Sequence, residues 1–382
     1  MILGIDASNI RDGGGVTHLC ELLKAAEPEQ HGFEQVHVWA SQRTLKQLPQ
    51  HPWLHKIHEP LLDLALPYRL YWQRTKLPRL AKQAGCNVLF LPGSGSGHGF
   101  RPYVTMSQNL LPFEPKERER YGISLTRLRL ITLSFSQSRA FRLADGLILL
   151  TQYARKTVMA RIQDYHGKWI AIPHGINPQF YRASKAQYAL SVSSPARTLQ
   201  ILYVSIINVY KHQWYVAEAV AKLRNQGFSV TLELVGPAYK PALRRLNATL
   251  SKVDPNGDFI HYRGSIAYAD LPPIYHQSDI FVFASSCENM PIILLEAMAA
   301  GLPIACARRG PMPEILGDAG VYFDPENSEQ IADALRLLLN DPELRARCAE
   351  KAFAKAQAYS WERCAHQTFD FLRQVAQGHD DS

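Results

Sequence analysis

The sequence predicts an α/β protein of two Rossmann-like, doubly wound domains facing across a cleft. Three observations predict it. Short apolar runs of strand type alternate with stretches of helical length from end to end, the pattern of parallel sheets covered by helices on both faces. The strands are too many for one such sheet, and the alternation restarts after SKAQYALSVSSPART (residues 184–198), which lacks periodicity and carries a Ser-Ser-Pro cluster. The length of 382 residues suits two domains at roughly 100–200 residues each.

In the first domain, residues 1–183, strands are expected at Ile2–Ala7, Val36–Ala40, Asn87–Leu91, Val104–Ser107, Gly146–Leu150 and Trp169–Ile172, with helices at Val16–Ala26 and Gln152–Ile162. Residues 184–198 are the expected linker. In the second domain, residues 199–360, strands are expected at Gln200–Ser205, Ser229–Val235, Phe259–Tyr262, Ile280–Ala284 and Pro303–Cys306. Helices are expected at Gln213–Gln226, Pro241–Val253, Asp270–Gln277 and Ile292–Ala300. The last helical stretch, Trp361–Gln377, follows a completed second domain and is expected to pack back on the first. Ligands of such sheets bind beyond the carboxyl ends of the strands, so facing domains would hold a ligand in the cleft.

Composition removes several classes. With 46% hydrophobic and 20% charged residues, the chain is neither disordered nor fibrous. Its 6 cysteines form no CxxC pair and no Cys/His cluster, which argues against a disulfide scaffold and a zinc site, with a reducing compartment as the default. The start, MILGIDASN, lacks a basic segment followed by an apolar one, so no export signal is expected. The apolar run Met290–Cys306 contains Glu296, Gly301 and Pro303, and reads as a buried helix followed by a strand rather than a membrane span.

The net charge of +8 concentrates in the first half. Residues 66–85 carry Arg69, Arg74, Lys76, Arg79 and Lys82 among Tyr68, Tyr71 and Trp72, with no acid. Residues 116–142 carry a further seven Lys and Arg against Glu117 and Glu119. Rings beside cations suit an anionic lipid surface, and a solvated helix face is the plainer alternative. Nucleic acid is not expected as a partner, since no module that binds it is present.

Two motifs carry chemistry. After the first strand, Gly13-Gly14-Gly15 lets backbone approach a ligand at the mouth of a helix, where free N–H groups suit a diphosphate. It does not match the GxGxxG dinucleotide fingerprint. The stronger motif is SSCENMPIILLEAMAAGLP (285–303): Pro291 favours a helix start, Glu288 falls in the loop before it, and Glu296 lies about one and a half turns inside. Asn289, Met290 and Pro291 lie at the positive helix end. A carboxylate inside an apolar helix is costly unless paired or liganded, so Glu296 is expected to bind something. His98, in the glycine-rich loop GSGSGHG, is a candidate acceptor-side group or a plain loop residue; His174 is expected to be structural, and for His18 a cleft-facing and a structural place stay open. With no DxD pair, a metal holding a sugar diphosphate is not expected.

Glu288, seven residues, Glu296 and then AMAAGLP resemble the signature of the retaining family-four glycosyltransferases of the GT-B fold. Weaker elements follow in family order: the glycine loop, Ile172-Pro-His-Gly-Ile-Asn177, Leu202 to Lys211, Leu234-Val-Gly236, Tyr262-Arg-Gly264 and Gly310 to Pro325. The resemblance implies a nucleotide-sugar donor and no cofactor. It implies that Lys211 neutralises the donor diphosphate and that Glu288 holds hydroxyls of the transferred sugar, these two being the catalytic candidates. Asn289–Pro291 would lie beside the sugar, Glu296 would bind the ribose, Gly264 would lie near the base, and Gly14 and Gly15 would line the donor. Gln108 and Asn109 stand where the family contacts sugar. Two positions depart: Ile206 replaces an arginine, with Arg263 as a substitute cation, and Gln108 replaces a histidine.

The first domain would then bind a lipid-linked glycan acceptor, on the inner face of the cytoplasmic membrane. QNLLPFEP and ENMP are similar to segments of surface-polysaccharide mannosyltransferases, implying mannose from GDP-mannose. A nucleotide-sugar epimerase or phosphorylase on the same scaffold, or a non-catalytic membrane- or glycan-binding protein, stays open as an alternative.

Overall fold

The computed structural model describes residues 1–11, 13–95, 99–185, 187 and 198–380. The chain divides into two compact units: residues 1–118, 123–175 and 360–382 in one, and 119–122 and 176–359 in the other.

The first unit is built on a parallel sheet of β1 (Ile2–Asp6), β2 (Gln35–Ala40), β3 (Leu54–His58), β4 (Val88–Leu91), β5 (Tyr103–Met106), β6 (Gly146–Leu149) and β7 (Lys168–Ala171), ordered β3-β2-β1-β4-β5-β6-β7. Its central strands are wholly buried because helices cover both faces, which is why they read as unbroken apolar runs. The helix Trp361–Asp380 belongs to this unit, with Phe369, Leu372 and Ala376 buried.

The second unit holds β8 (Leu199–Val204), β9 (Val230–Val235), β10 (Ile260–Tyr262), β11 (Ile280–Phe283), β12 (Ile304–Ala307) and β13 (Val321–Phe323), parallel and ordered β10-β9-β8-β11-β12-β13. The order reverses between β8 and β11. The loops that leave their carboxyl ends therefore flank the topological switch point, where such sheets bind ligands.

Three sequence expectations change. The strands β3 and β13 were not expected. Both are edge strands: β3, LHKIH, exposes polar side chains, and β13, VYF, has only three residues, so neither shows an apolar run of strand length. The division falls at Gly175 and Ile176, not at 183 and 184. Ile176 N donates to Tyr359 O (3.2 Å), Arg182 N to Ala299 O (2.9 Å), and Phe180 packs edge-on against Tyr275, which ties 176–183 to the second unit. Most of the expected linker, residues 186 and 188–197, lies outside the described residues. Among the described residues, no helix is long and apolar enough to cross a membrane.

Candidate functional site

In the second unit the loop after β8 delivers Lys211 and the loop after β11 delivers Glu288. Their side chains form an ion pair, 6% and 13% exposed. The two loops are stitched together beneath the pair. Ser286 N donates to Tyr210 O (2.8 Å), Tyr203 OH donates to Lys211 O (2.6 Å), and the Ser286 hydroxyl bonds His212 Nε2 (2.9 Å). His212 adopts a left-handed φ of 53°, which turns the chain into the helix Gln213–Asn225. The ammonium also lies 5.1 Å from the Phe283 ring centroid and 5.3 Å from that of Tyr210. Low exposure strengthens the pair and makes either charge costly alone.

Beyond Glu288, Asn289, Met290 and Pro291 are buried and lead into the helix Ile292–Ala299. Pro291 takes the N-cap place (φ −76°, ψ 105°), one residue earlier than its expected first helical position. Glu296 is 1% exposed. Its carboxylate accepts from Tyr275 OH (2.9 Å); burial, which disfavours the charged form, pushes it up to about 7, and the Tyr275 and Tyr268 hydroxyls offset part of that rise. The sequence left Glu296 needing a partner; the Tyr275 hydroxyl provides one.

Gly264 has φ 69° and open space where a side chain would project. Its carbonyl accepts from Gly236 N (2.8 Å), holding the loops after β9 and β10 together. Arg263 is ion-paired with Glu233. Its guanidinium, proposed from sequence as a substitute cation for Ile206, is held by this pair and is about half exposed. The nearby segment 119–122 adds Arg120, which donates both amino groups to Glu326 (2.7 and 2.6 Å), and Tyr121 OH, which donates to Asn208 Oδ1 (3.0 Å).

The first unit holds the remaining candidates. Gly13 is the N-cap (φ 68°) of the helix Gly14–Lys24, so Gly14 and Gly15 form its first turn rather than a loop. A side chain on Gly15 would begin 3.1 Å from Gln108 Oε1, which brings those two candidates together. Asn109 Oδ1 accepts from Leu111 N (3.0 Å), so that oxygen closes a local turn. His98 lies outside the described residues. His18 and His174 are fully buried against each other, Nδ1 to Nδ1 3.0 Å, with Trp361 alongside both; neither is exposed toward a ligand. Among the described residues, no cluster of His, Cys, Asp and Glu is suited to a metal ion.

Sequence reasoning missed Ser286, His212, Tyr203, Tyr268 and Tyr275. The adjacent Ser285-Ser286 before Glu288 was a signal for a hydroxyl at this turn. Tyr275 became a partner only when the helix Leu271–Gln277 packed beside Glu296.

Residues 190–355 match the Glycosyl transferases group 1 family, a stretch that carries Lys211, Gly264, Glu288 and Glu296. The chain is similar to an O-antigen chain mannosyltransferase B of Escherichia coli, 34% identical over 112 residues, 29% of each chain. Across the first four curated relatives, the matches span 29% to 53% of the relatives' own length. Among solved structures, the sucrose-phosphate synthase from Thermosynechococcus elongatus superposes with a TM-score of 0.76 at 18% identity, covering 99% of this chain and 100% of that one. WaaG, a glycosyltransferase involved in lipopolysaccharide biosynthesis, gives 0.71 at 17% identity, covering 97% and 99%. These likenesses show the GT-B fold.

Proposed function

From a chain that carries a glycosyl transferases group 1 domain on a GT-B fold, we propose a retaining transfer of a hexose, mannose from GDP-mannose as the preferred donor, onto a lipid-linked glycan in surface-polysaccharide synthesis. The single observation that carries the reading is the buried Lys211–Glu288 pair at the switch point of the second sheet.

In the free protein each group neutralises the other. A nucleoside diphosphate sugar offers the ammonium a stronger anion, and the carboxylate then accepts from sugar hydroxyls. As the bond from the anomeric carbon to the leaving phosphate oxygen breaks, negative charge grows on the diphosphate. Lys211 and the positive end of the helix Ile292–Ala299 offset it. The acceptor hydroxyl attacks from the face the phosphate leaves, and its proton passes to the departing phosphate oxygen. Glu288 serves as a sugar clamp and not as the nucleophile, and no metal is required. Glu296 and its two tyrosines hold the ribose side, Gly264 the base.

Incubation with nucleotide sugars and a lipid-linked glycan is expected to give transfer that falls at least a hundredfold in Glu288→Ala, while nucleotide still shifts the melting temperature. Unchanged turnover in that variant overturns the assignment. Product from donor alone identifies an epimerase instead.

The first unit supplies the membrane part of the proposal. The helix Leu66–Thr75 exposes Leu66, Tyr68, Leu70 and Tyr71 beside Arg69 and Arg74, and the helix Leu125–Leu143 exposes Leu125, Leu128 and Phe135 beside Arg127 and Arg129. The Arg129 charge reaches Arg69 and helps lower its pKa, after burial, so these helices add to one positive field. Near an anionic leaflet each cation contributes about 1 kcal/mol. Flotation with phosphatidylglycerol vesicles is expected to carry the protein, and Leu125→Asp with Leu128→Asp to leave it in solution. Equal flotation on neutral vesicles refutes the electrostatic part.

A further inference from the structure

At the amino ends of β5, β6 and β7, the edge of the first sheet opposite the Gly13–Gly15 turn, lies a cavity of about 410 Å3. Arg101, Arg142, Lys168 and His166 line it, and Asp145 is the one acid among its described lining residues. We propose that this cavity binds a small phosphorylated molecule, a mono- or diphosphate ester, distinct from the sugar donor.

The argument rests on how the cations are held. Arg101 donates to Leu143 O (2.9 Å) and pairs with Asp145 (2.7 Å). Arg142 Nε donates to Ile162 O (3.0 Å), and Lys168 Nζ to Gln374 O (2.9 Å). Each charge is oriented by a backbone carbonyl, and among the described residues a carboxylate pairs with one of the three, Arg101. The helices Leu125–Leu143 and Trp361–Asp380 also end near this edge, and a helix carboxyl end carries about half a unit of negative charge. Among the described residues, two such ends offset about one more cation and leave the lining net positive, with the amino groups of Arg142 and the remaining hydrogens of Lys168 facing it.

The room is also built. A side chain on Gly378 would begin 2.8 Å from Lys168 Nζ, so a glycine there leaves room for the ammonium where it stands. Gly167 allows a similarly close approach: a side chain would begin 2.5 Å from Ala144 O. The volume falls in the range of small-molecule sites, roughly 300–1,000 Å3, larger than a lone phosphate needs. Fork-shaped arginines and a lysine are the donors that phosphate esters select.

Equilibrium dialysis of the full chain with labelled pyrophosphate tests this. Binding at one site is expected to weaken at least tenfold in Arg142→Gln/Lys168→Gln and at least fivefold in Gly378→Val, and to survive in Lys211→Met. A folded double variant is recognised by its unchanged circular dichroism; if it does not fold, Gly378→Val decides. No binding, binding untouched in the folded variants, or binding lost only in Lys211→Met overturns the proposal, and the last of these leaves the donor-site reading standing.

Discussion

A lysine and a glutamate drawn out of water together are a cheap pair and two expensive singles. With side chains 6% and 13% exposed, removing one partner leaves the other buried and uncompensated, a loss of about 3 kcal/mol. Lys211→Met and Glu288→Gln are each expected to lower stability by that order. The double variant should lose much less than the sum, since it leaves no orphan charge. Denaturant titration of the four proteins checks it; additive losses would mean that the two groups do not depend on each other. The same arithmetic explains why a phosphate-bearing donor can compete: it brings the lysine a new anion and releases the carboxylate to hydroxyls.

At the scale of elements, the site depends on how closely the loops after β8 and β9 approach. Gly236 has φ 141°, and a side chain there would begin 2.2 Å from Ser205 O, the first residue beyond β8. Gly236→Ala must push that loop, and with it Ile206 to Lys211. A loss of about 3 kcal/mol is expected, with weakened nucleotide binding, measured by denaturation and calorimetry. An alanine variant of wild-type stability and affinity would show that the loop has slack. The loop after β11 is tied to the same region, because its backbone at Ser286 is hydrogen-bonded to Tyr210.

For the whole molecule, buried titratable groups set opposing trends with pH. Burial pushes His18 and His212 down to about 4, and His174 well below its ordinary 6.5. Between those values the unfolded chain binds more protons, so their contribution is full above pH 6.5 and is lost as pH falls toward 4. Glu296, raised from 4.5 to about 7, runs the other way: its contribution is full below pH 4.5 and is lost as pH rises through 7. Three histidines outweigh one carboxyl, so the melting temperature is expected to climb from pH 4.5 to 6.5. Glu296→Gln, which cannot ionise, should gain about 3 kcal/mol over the parent at pH 8 and little at pH 4.5. A parallel pair of stability curves would sink this account of Glu296.

What the sequence determined by itself was local or periodic. Parallel strands covered on both faces must be apolar along their length, so β1, β8 and β11 were legible as runs, and the restart of the pattern showed two units. Glu288 and Glu296 were legible because carboxylates at the mouth and in the middle of an apolar helix break its pattern. Edge strands β3 and β13 were not: β3 exposes polar residues to solvent, and β13, at three residues, is too short to stand out as a run. Tertiary structure alone decided the partners. Lys211 and Glu288 are 77 residues apart, and Glu296 and Tyr275 are 21 apart. Only the strand order, which sets β8 beside β11, brings the first pair together, and only helix packing brings the second. The boundary at Gly175 was likewise decided by hydrogen bonds from Ile176 and Arg182 to distant carbonyls, which no property of the segment itself records.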